Sequence, residues 1–443
     1  MVFAAAYELN PFSAVAILND REEASYFFDD LNTLGLGENV LFFPSSYRRS
    51  IVHEIIDSEN IIFRTEVLNK LAINETGYLV ITYPEAIMEK VISGSGLEKH
   101  TLHIRKGEKL SIAFINEVLL EYGFERVEFV YEPGQYSLRG SIIDIFSFSN
   151  EDPYRIDFFG DEVDSIRTFD IEDQISKEPL TRISIIPNIQ EGLQHEKRVS
   201  LFDFLNQKAV IAAHSFSYVS AQIKTLNHEA SARIGSEDTA SLVISGSEFK
   251  SGIEPYNCIE FGGSNHFKSA TEFAFNTSKQ PVFNKNFDLL GQNLKSNRQK
   301  GYRNILLTSS PKQIERLHAI FDDKGDPQKI DSLLFAVNEG FIDHDLKICC
   351  YTDHQIFERY HRFKLRSKKS SRQAITIKEL SKLHPGDFVV HIDHGVGKFA
   401  GLVKTEVNGN IQEAVRLIYR DNDSLLVSIH SLQRIAKYKG KEG

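Results

Sequence analysis

Two aspartates, Asp144 and Asp157, recur at comparable places in the strings IIDIF and RIDFF, and paired carboxylates are the minimum equipment for general acid and base work. Arg139, Arg155 and Arg167 lie in the same stretch, so cross-strand ion pairs account for both acids without any reaction. His391, Asp393 and His394 in HIDHG offer the usual metal ligands, imidazole and carboxylate. On a strand His391 and Asp393 share one face while His394 sits at the turn, so three ligands do not converge; a hydrogen-bonded turn is expected, and no metal. Cys349 and Cys350 in LKICCY fall inside an apolar run and read as small core side chains. Phosphoryl transfer lacks its carrier: the strings GSGLEK at 94–99 and GVGKF at 395–399 have neither the loop length nor the hydroxyl residue after lysine of a phosphate loop. GxSxG and HExxH are absent too. The chain itself is expected to carry no catalytic residue and no cofactor.

Composition narrows the class of protein. A chain of 443 residues exceeds what one core organises and calls for three or four units. The net charge of −10 argues against a protein whose main task is non-specific duplex binding, which needs a surplus of Lys and Arg to neutralise phosphates. Three cysteines, two of them adjacent, offer no disulfide framework, and a reducing cytoplasm is expected. The opening MVFAAAYELNPFSAVAIL is broken by Glu8, Asn10 and Pro11 and lacks a basic start, so it does not read as a signal peptide. No run of about 18 apolar residues occurs, and no membrane association is expected.

The elements that must position these residues fall into an α/β multidomain arrangement. Residues 1–94 alternate apolar runs (14–18, 40–43, 78–83) with amphipathic stretches such as 21–34, the rhythm of an open parallel sheet. Over 95–182 a helix at 111–122 precedes strands at 127–131, 136–138, 141–148, 154–159 and 162–169, joined by Pro133-Gly134, Ser149-Asn150 and Gly160-Asp161; this predicts an inserted antiparallel meander with a helix on one face. Residues 183–285 return to the first domain through a strand at 209–213. A small α/β unit at 286–364 has strands at 304–308, 332–336 and 346–351 and a helix at 312–321. The segment 365–376 belongs to a basic linker, with six Lys or Arg between Arg362 and Arg372, which reads as solvated chain. The last unit, 377–443, begins with a helix at 377–383. Short strands follow at 388–392, 398–405, 411–419 and 424–428 with glycine turns, as in a small SH3- or Tudor-like β-barrel, with a closing helix at 431–438.

The string YEPGQYSLRGSIIDIFSFSNEDPYRIDFFGDEVDSIRTFD, residues 131–170, closely resembles the segment that UvrB shares with the transcription-repair coupling factors (Mfd) and that docks on the repair ATPase UvrA. The resemblance implies that Arg139, Arg155 and Phe159 form the UvrA-binding surface. From the residues alone, two guanidiniums and one aromatic on adjoining strands make a small hot-spot cluster. The plainer alternative has Phe159 in the core and the arginines paired with Asp144 or Asp157.

HPGDFVVHIDHGVGKFAGL, residues 384–402, resembles the RNA-polymerase-interacting module of the same family and of CarD-like factors. UvrB has no such module. The resemblance implies contact with the RNA polymerase β subunit through Leu402, Val403, Lys404, Thr405, Glu406 and Val407, with Ile411 as a neighbour. Strand-edge docking would supply main-chain hydrogen bonds and Leu402 and Val403 apolar area. It implies a degenerate UvrB-like pair of domains at the front and an adaptor that recruits UvrA and holds RNA polymerase. In the family a RecG-like motor follows, which uses ATP and Mg and engages DNA; none of its motifs precedes Gly443. The alternatives are a UvrB-like damaged-DNA-binding or helicase fragment, and a stand-alone CarD-type regulator.

Overall fold

The computed structural model describes the chain apart from residues 1, 48–56, 74–75, 172–173, 190–195, 263–265, 268–269, 324, 326–327, 329, 360–382, 392–393, 408–409, 420–422, 429–434 and 438–443. The basic stretch 362–372, the helix expected at 377–383 and Asp393 lie outside the described residues.

The first sheet is wholly parallel, in the order Asn257–Glu260, Val210–Ala213, Ala14–Ile17, Leu79–Thr82, Val40–Phe42. Its central strands are buried on both faces, which is why they read as uninterrupted apolar runs. Two distant stretches of chain therefore build one sheet. The strand Ala14–Ile17 enters the helix Arg21–Leu31 with Asp20 as N-cap, its carboxylate accepting from the Glu23 amide at 2.8 Å, while Glu23 accepts from the Asn19 amide at 2.9 Å. The helix Phe216–Ile234 starts from Ser215, and Glu260 accepts from the Phe216 amide at 3.0 Å. Both helix ends at the carboxyl edge of this sheet thus bind the chain's own carboxylates.

Between these halves sits a six-stranded sheet in the order Ser176–Leu180, Glu162–Phe169, Tyr154–Phe159, Ile142–Ile145, Gln135–Arg139, Glu125–Arg126, antiparallel except for its last pair. The helix Ile112–Glu121, capped by Ser111, buries Ile115 and Leu119 against Tyr136, Ile143, Ile145, Ile156 and Phe158. The insert is also joined to the first core: Val130, Phe146, Phe148 and Phe169 pack in the apolar cluster of the parallel sheet.

The expected strand at 127–131 does not form. Its side chains serve different surfaces, Val130 buried in the first domain's core and Phe129 lying under Arg139, so alternation along one sheet is lost. The insert also extends past 182: the strand Arg182–Ile185 pairs with Leu102–Arg105.

A third sheet, in the order Thr277–Lys279, Phe341–Asp343, Ile348–Thr352, Arg303–Leu307, Asp331–Leu333, packs its core on the helices Phe287–Gln299 and Pro311–Asp323. It recruits Thr277–Lys279 from before residue 286. Cys349 and Cys350 are buried on opposite sides of it, each in an apolar cluster, so both are core residues.

The last unit is a five-stranded antiparallel sheet in the order Ser424–Ser428, Asn410–Ile418, Gly395–Val407, Phe388–His391, Ile435–Lys437. Where a closing helix is expected over 431–438, Ile435–Lys437 is a strand paired with Val389–His391, and Ile435 is buried in the sheet's core. Burying one apolar residue beside an open strand edge outweighs weak local helix preference.

Candidate docking surfaces

The strand Tyr154–Phe159 alternates strictly. Tyr154, Ile156 and Phe158 point into the insert's core, which leaves Arg155, Asp157 and Phe159 on the outer face. Phe159 is 84% exposed, so the reading that placed it in the core is excluded. It ends the strand at the turn where Gly160 takes φ +63°, a conformation that suits glycine. An aromatic ring held in water at a tight hairpin contributes little to the core.

The arginines are paired, as the alternative reading had it. Asp144 lies directly across from Arg155 in antiparallel register. Arg155 Nε donates to Asp144 Oδ1 at 2.7 Å and its Nη2 donates to Oδ2 at 2.9 Å, a bidentate fork. Arg155 Nη1 donates to the Gln174 carbonyl at 3.0 Å, and the guanidinium lies 4.5 Å over the Phe169 ring. From the neighbouring strand Arg139 donates to the same Asp144 Oδ2 and lies 5.1 Å over Phe129. Hydrogen bonding to Asp144 raises the Arg155 pKa above its ordinary value, against the opposing effect of burial. Asp157 is engaged separately, by Arg167 and by the Ser165 hydroxyl at 2.7 Å. Both acids are thus held in ion pairs, Asp144 through both oxygens and Asp157 through Oδ2.

The face that results carries Arg139, Arg155 and Phe159 together on two strands of one sheet. Sequence reasoning did not find Phe129, Phe169 and the Gln174 carbonyl, which hold the guanidiniums. Their only sequence signal is an aromatic residue near each arginine, and it becomes legible once register is known.

In the last sheet, Lys398 and Phe399 pair with Ile418 and Leu417, a bulge follows at Ala400-Gly401, and pairing resumes from Leu402↔Val415 to Val407↔Asn410. Gly401 has φ +98°, which the bulge requires. The partner strand on the other side, Phe388–His391, reaches only as far as Lys398. Leu402–Val407 therefore carries a strand on one edge alone among the described residues. Leu402 is 50% exposed and Val403 half-buried; the side chains of Lys404, Thr405, Glu406, Val407 and Ile411 lie outside the described residues.

His391 is buried, and its ring centroid lies 4.9 Å from that of exposed His394. Among the described residues no group of three His, Cys, Asp or Glu is placed to hold a metal ion. Among them, too, no helix is long and apolar enough to cross a membrane.

Comparison with known proteins bears on both surfaces. Residues 102–190 match the UvrB interaction domain, and residues 383–439 match the CarD-like/TRCF RID domain. The chain is 23% identical to the transcription-repair-coupling factor of Bacillus subtilis, over 96% of its own length and 43% of the relative's. It is 26% identical to that of Escherichia coli, over 85% of its length and 39% of the relative's. The chain thus spans about two fifths of the relatives it matches. The chain carries a match to the UvrB interaction domain followed by a match to the CarD-like/TRCF RID domain, and over most of its length it is similar to a part of the transcription-repair-coupling factors.

Proposed function

We propose that the chain is a non-catalytic adaptor that recruits UvrA through Arg139, Arg155 and Phe159 and binds the RNA polymerase β subunit through Leu402–Val407. The observation that carries the first half is the exposed Phe159 ring on the same sheet face as two arginines, inside the segment that matches the UvrB interaction domain. Aromatic and arginine side chains dominate binding hot spots, and an exposed ring with partly exposed guanidiniums on one face of a rigid sheet is suited to docking.

The second half rests on the Leu402–Val407 edge within the RID match, where an added strand from the polymerase would continue the sheet. We read this sheet as a small SH3- or Tudor-like barrel. The domain limits we adopt are 1–94 and 186–276 for the UvrB-like sheet, 95–185 for the docking insert, 277–364 for the small α/β unit, and 377–443 for the polymerase module, since Arg182–Ile185 pairs within the insert and Thr277–Lys279 within the third sheet.

On this reading the chain works in the cytoplasm without ATP, Mg or any other cofactor. DNA engagement is assigned to the motor that the family resemblance implies, and not to these residues. Size-exclusion chromatography of the chain with UvrA and, separately, with the β subunit tests both halves. Co-elution in each case is expected, and a chain that passes through unaccompanied by UvrA sinks the recruitment half.

A further inference from the structure

We infer that Asp144 is a positioning residue for the docking face: one buried carboxylate that gathers Arg139 and Arg155 and fixes both before any partner arrives. This rests on the reading of the face as the UvrA surface.

Three observations carry it. Asp144 stands on the outer face of its strand yet is fully buried, because the two guanidiniums cover it. Both of its oxygens are used, and Oδ2 is shared by the two arginines. Among the described residues the arginines have no other carboxylate in an ion pair, since Asp157 is taken by Arg167 and Ser165.

The contrast between the two acids is informative. Asp157 with Arg167 is a neutral pair. Asp144 faces two cations, so the pair of guanidiniums keeps one unit of positive charge, two minus one, for a partner. Arg155 uses Nε and one hydrogen each of Nη1 and Nη2 within the chain, and its side chain is 14% exposed against 36% for Arg139. Arginine presents five donors in a planar fork, so part of each fork remains for an incoming acceptor. Long charged side chains lose much rotamer freedom on binding; when they are ordered beforehand, that loss is not subtracted from affinity. Asp144 supplies the ordering.

The test is titration of the whole chain with UvrA, comparing Phe159→Ala, Asp144→Asn and Asp144→Glu. Asp144→Asn keeps the shape and loses the charge; Asp144→Glu keeps the charge and displaces it by one methylene. Both Asp144 variants are expected to bind about tenfold more weakly or worse, with an unfolding midpoint above the temperature of the assay. Wild-type affinity in Asp144→Glu and Asp144→Asn, with binding lost in Phe159→Ala, overturns the positioning role and leaves the docking reading standing. Wild-type affinity in Phe159→Ala overturns the docking reading and this inference with it. Should the Asp144 variants fail to fold, the unaltered chain decides: the Arg155 Nε–H signal, identified by its loss in Arg155→Lys, should be protected from solvent exchange without UvrA. Exchange at the rate of a free arginine overturns preorganisation.

Discussion

Arg155 and Asp144 face each other across two antiparallel strands, and the guanidinium grips both carboxylate oxygens at 2.7 and 2.9 Å while Arg139 reaches the same acid from the next strand. The ion pairs that make acid–base catalysis an unnecessary explanation are the same contacts that hold both guanidiniums on the sheet face that exposed Phe159 shares.

Phe159→Ala should leave stability within about 0.5 kcal/mol of wild type, since the ring is 84% exposed. Its affinity for UvrA should drop by about 2 kcal/mol or more, roughly thirtyfold. Denaturant unfolding alongside calorimetric titration checks the two numbers independently.

Ile156→Ala, one residue along from Arg155, should do the reverse. Ile156 is completely buried in the insert's core, and truncation should cost about 2–5 kcal/mol. Limited proteolysis should then cut within the insert at protease levels that the wild type resists.

Leu402→Glu should weaken binding to the polymerase β subunit by about tenfold while the sheet stays folded, because the side chain is half exposed and the strand's pairing with Asn410–Ile418 uses backbone groups. Surface plasmon resonance against the isolated β subunit measures it; unchanged binding would remove Leu402 from the contact.

Stability should fall as pH rises above 9. Burial pushes the thiols of Cys258 and Cys350 from 9.0 up to about 11, so the folded chain keeps protons that the unfolded chain releases. Unfolding therefore becomes easier between about pH 9 and 11, and these two groups contribute no slope below that window. Cys350→Ala should reduce the slope there in pH-dependent urea titrations. A slope unchanged from wild type would show that the Cys350 thiol titrates at its ordinary value.

Lys347→Gly should stabilise the third sheet by roughly a few tenths to 1 kcal/mol. Lys347 is exposed and sits at φ +51° in the turn before Ile348–Thr352, where a Cβ is strained and glycine is not. The thermal midpoint reads the change.

Local sequence was enough wherever one residue's environment is set by its own neighbours. The alternation in YRIDFF settled that Arg155, Asp157 and Phe159 share a face opposite Tyr154, Ile156 and Phe158, because side chains alternate along any strand. The unbroken apolar run at Ala14–Ile17 marked a parallel strand buried on both sides. Tertiary structure decided what depends on register and on competition for partners. Asp144 and Asp157 look alike in sequence, but one gathers two arginines and the other one, since an offset of strands determines which guanidinium lies opposite which acid. The run at 127–131 has strand-like composition and becomes a loop because Val127 and Val130 pack on the first domain's core while Phe129 lies under Arg139 on the insert's outer face. Ile435–Lys437 becomes a strand because an open edge of the sheet lies within reach, a fact held by residues more than forty positions away.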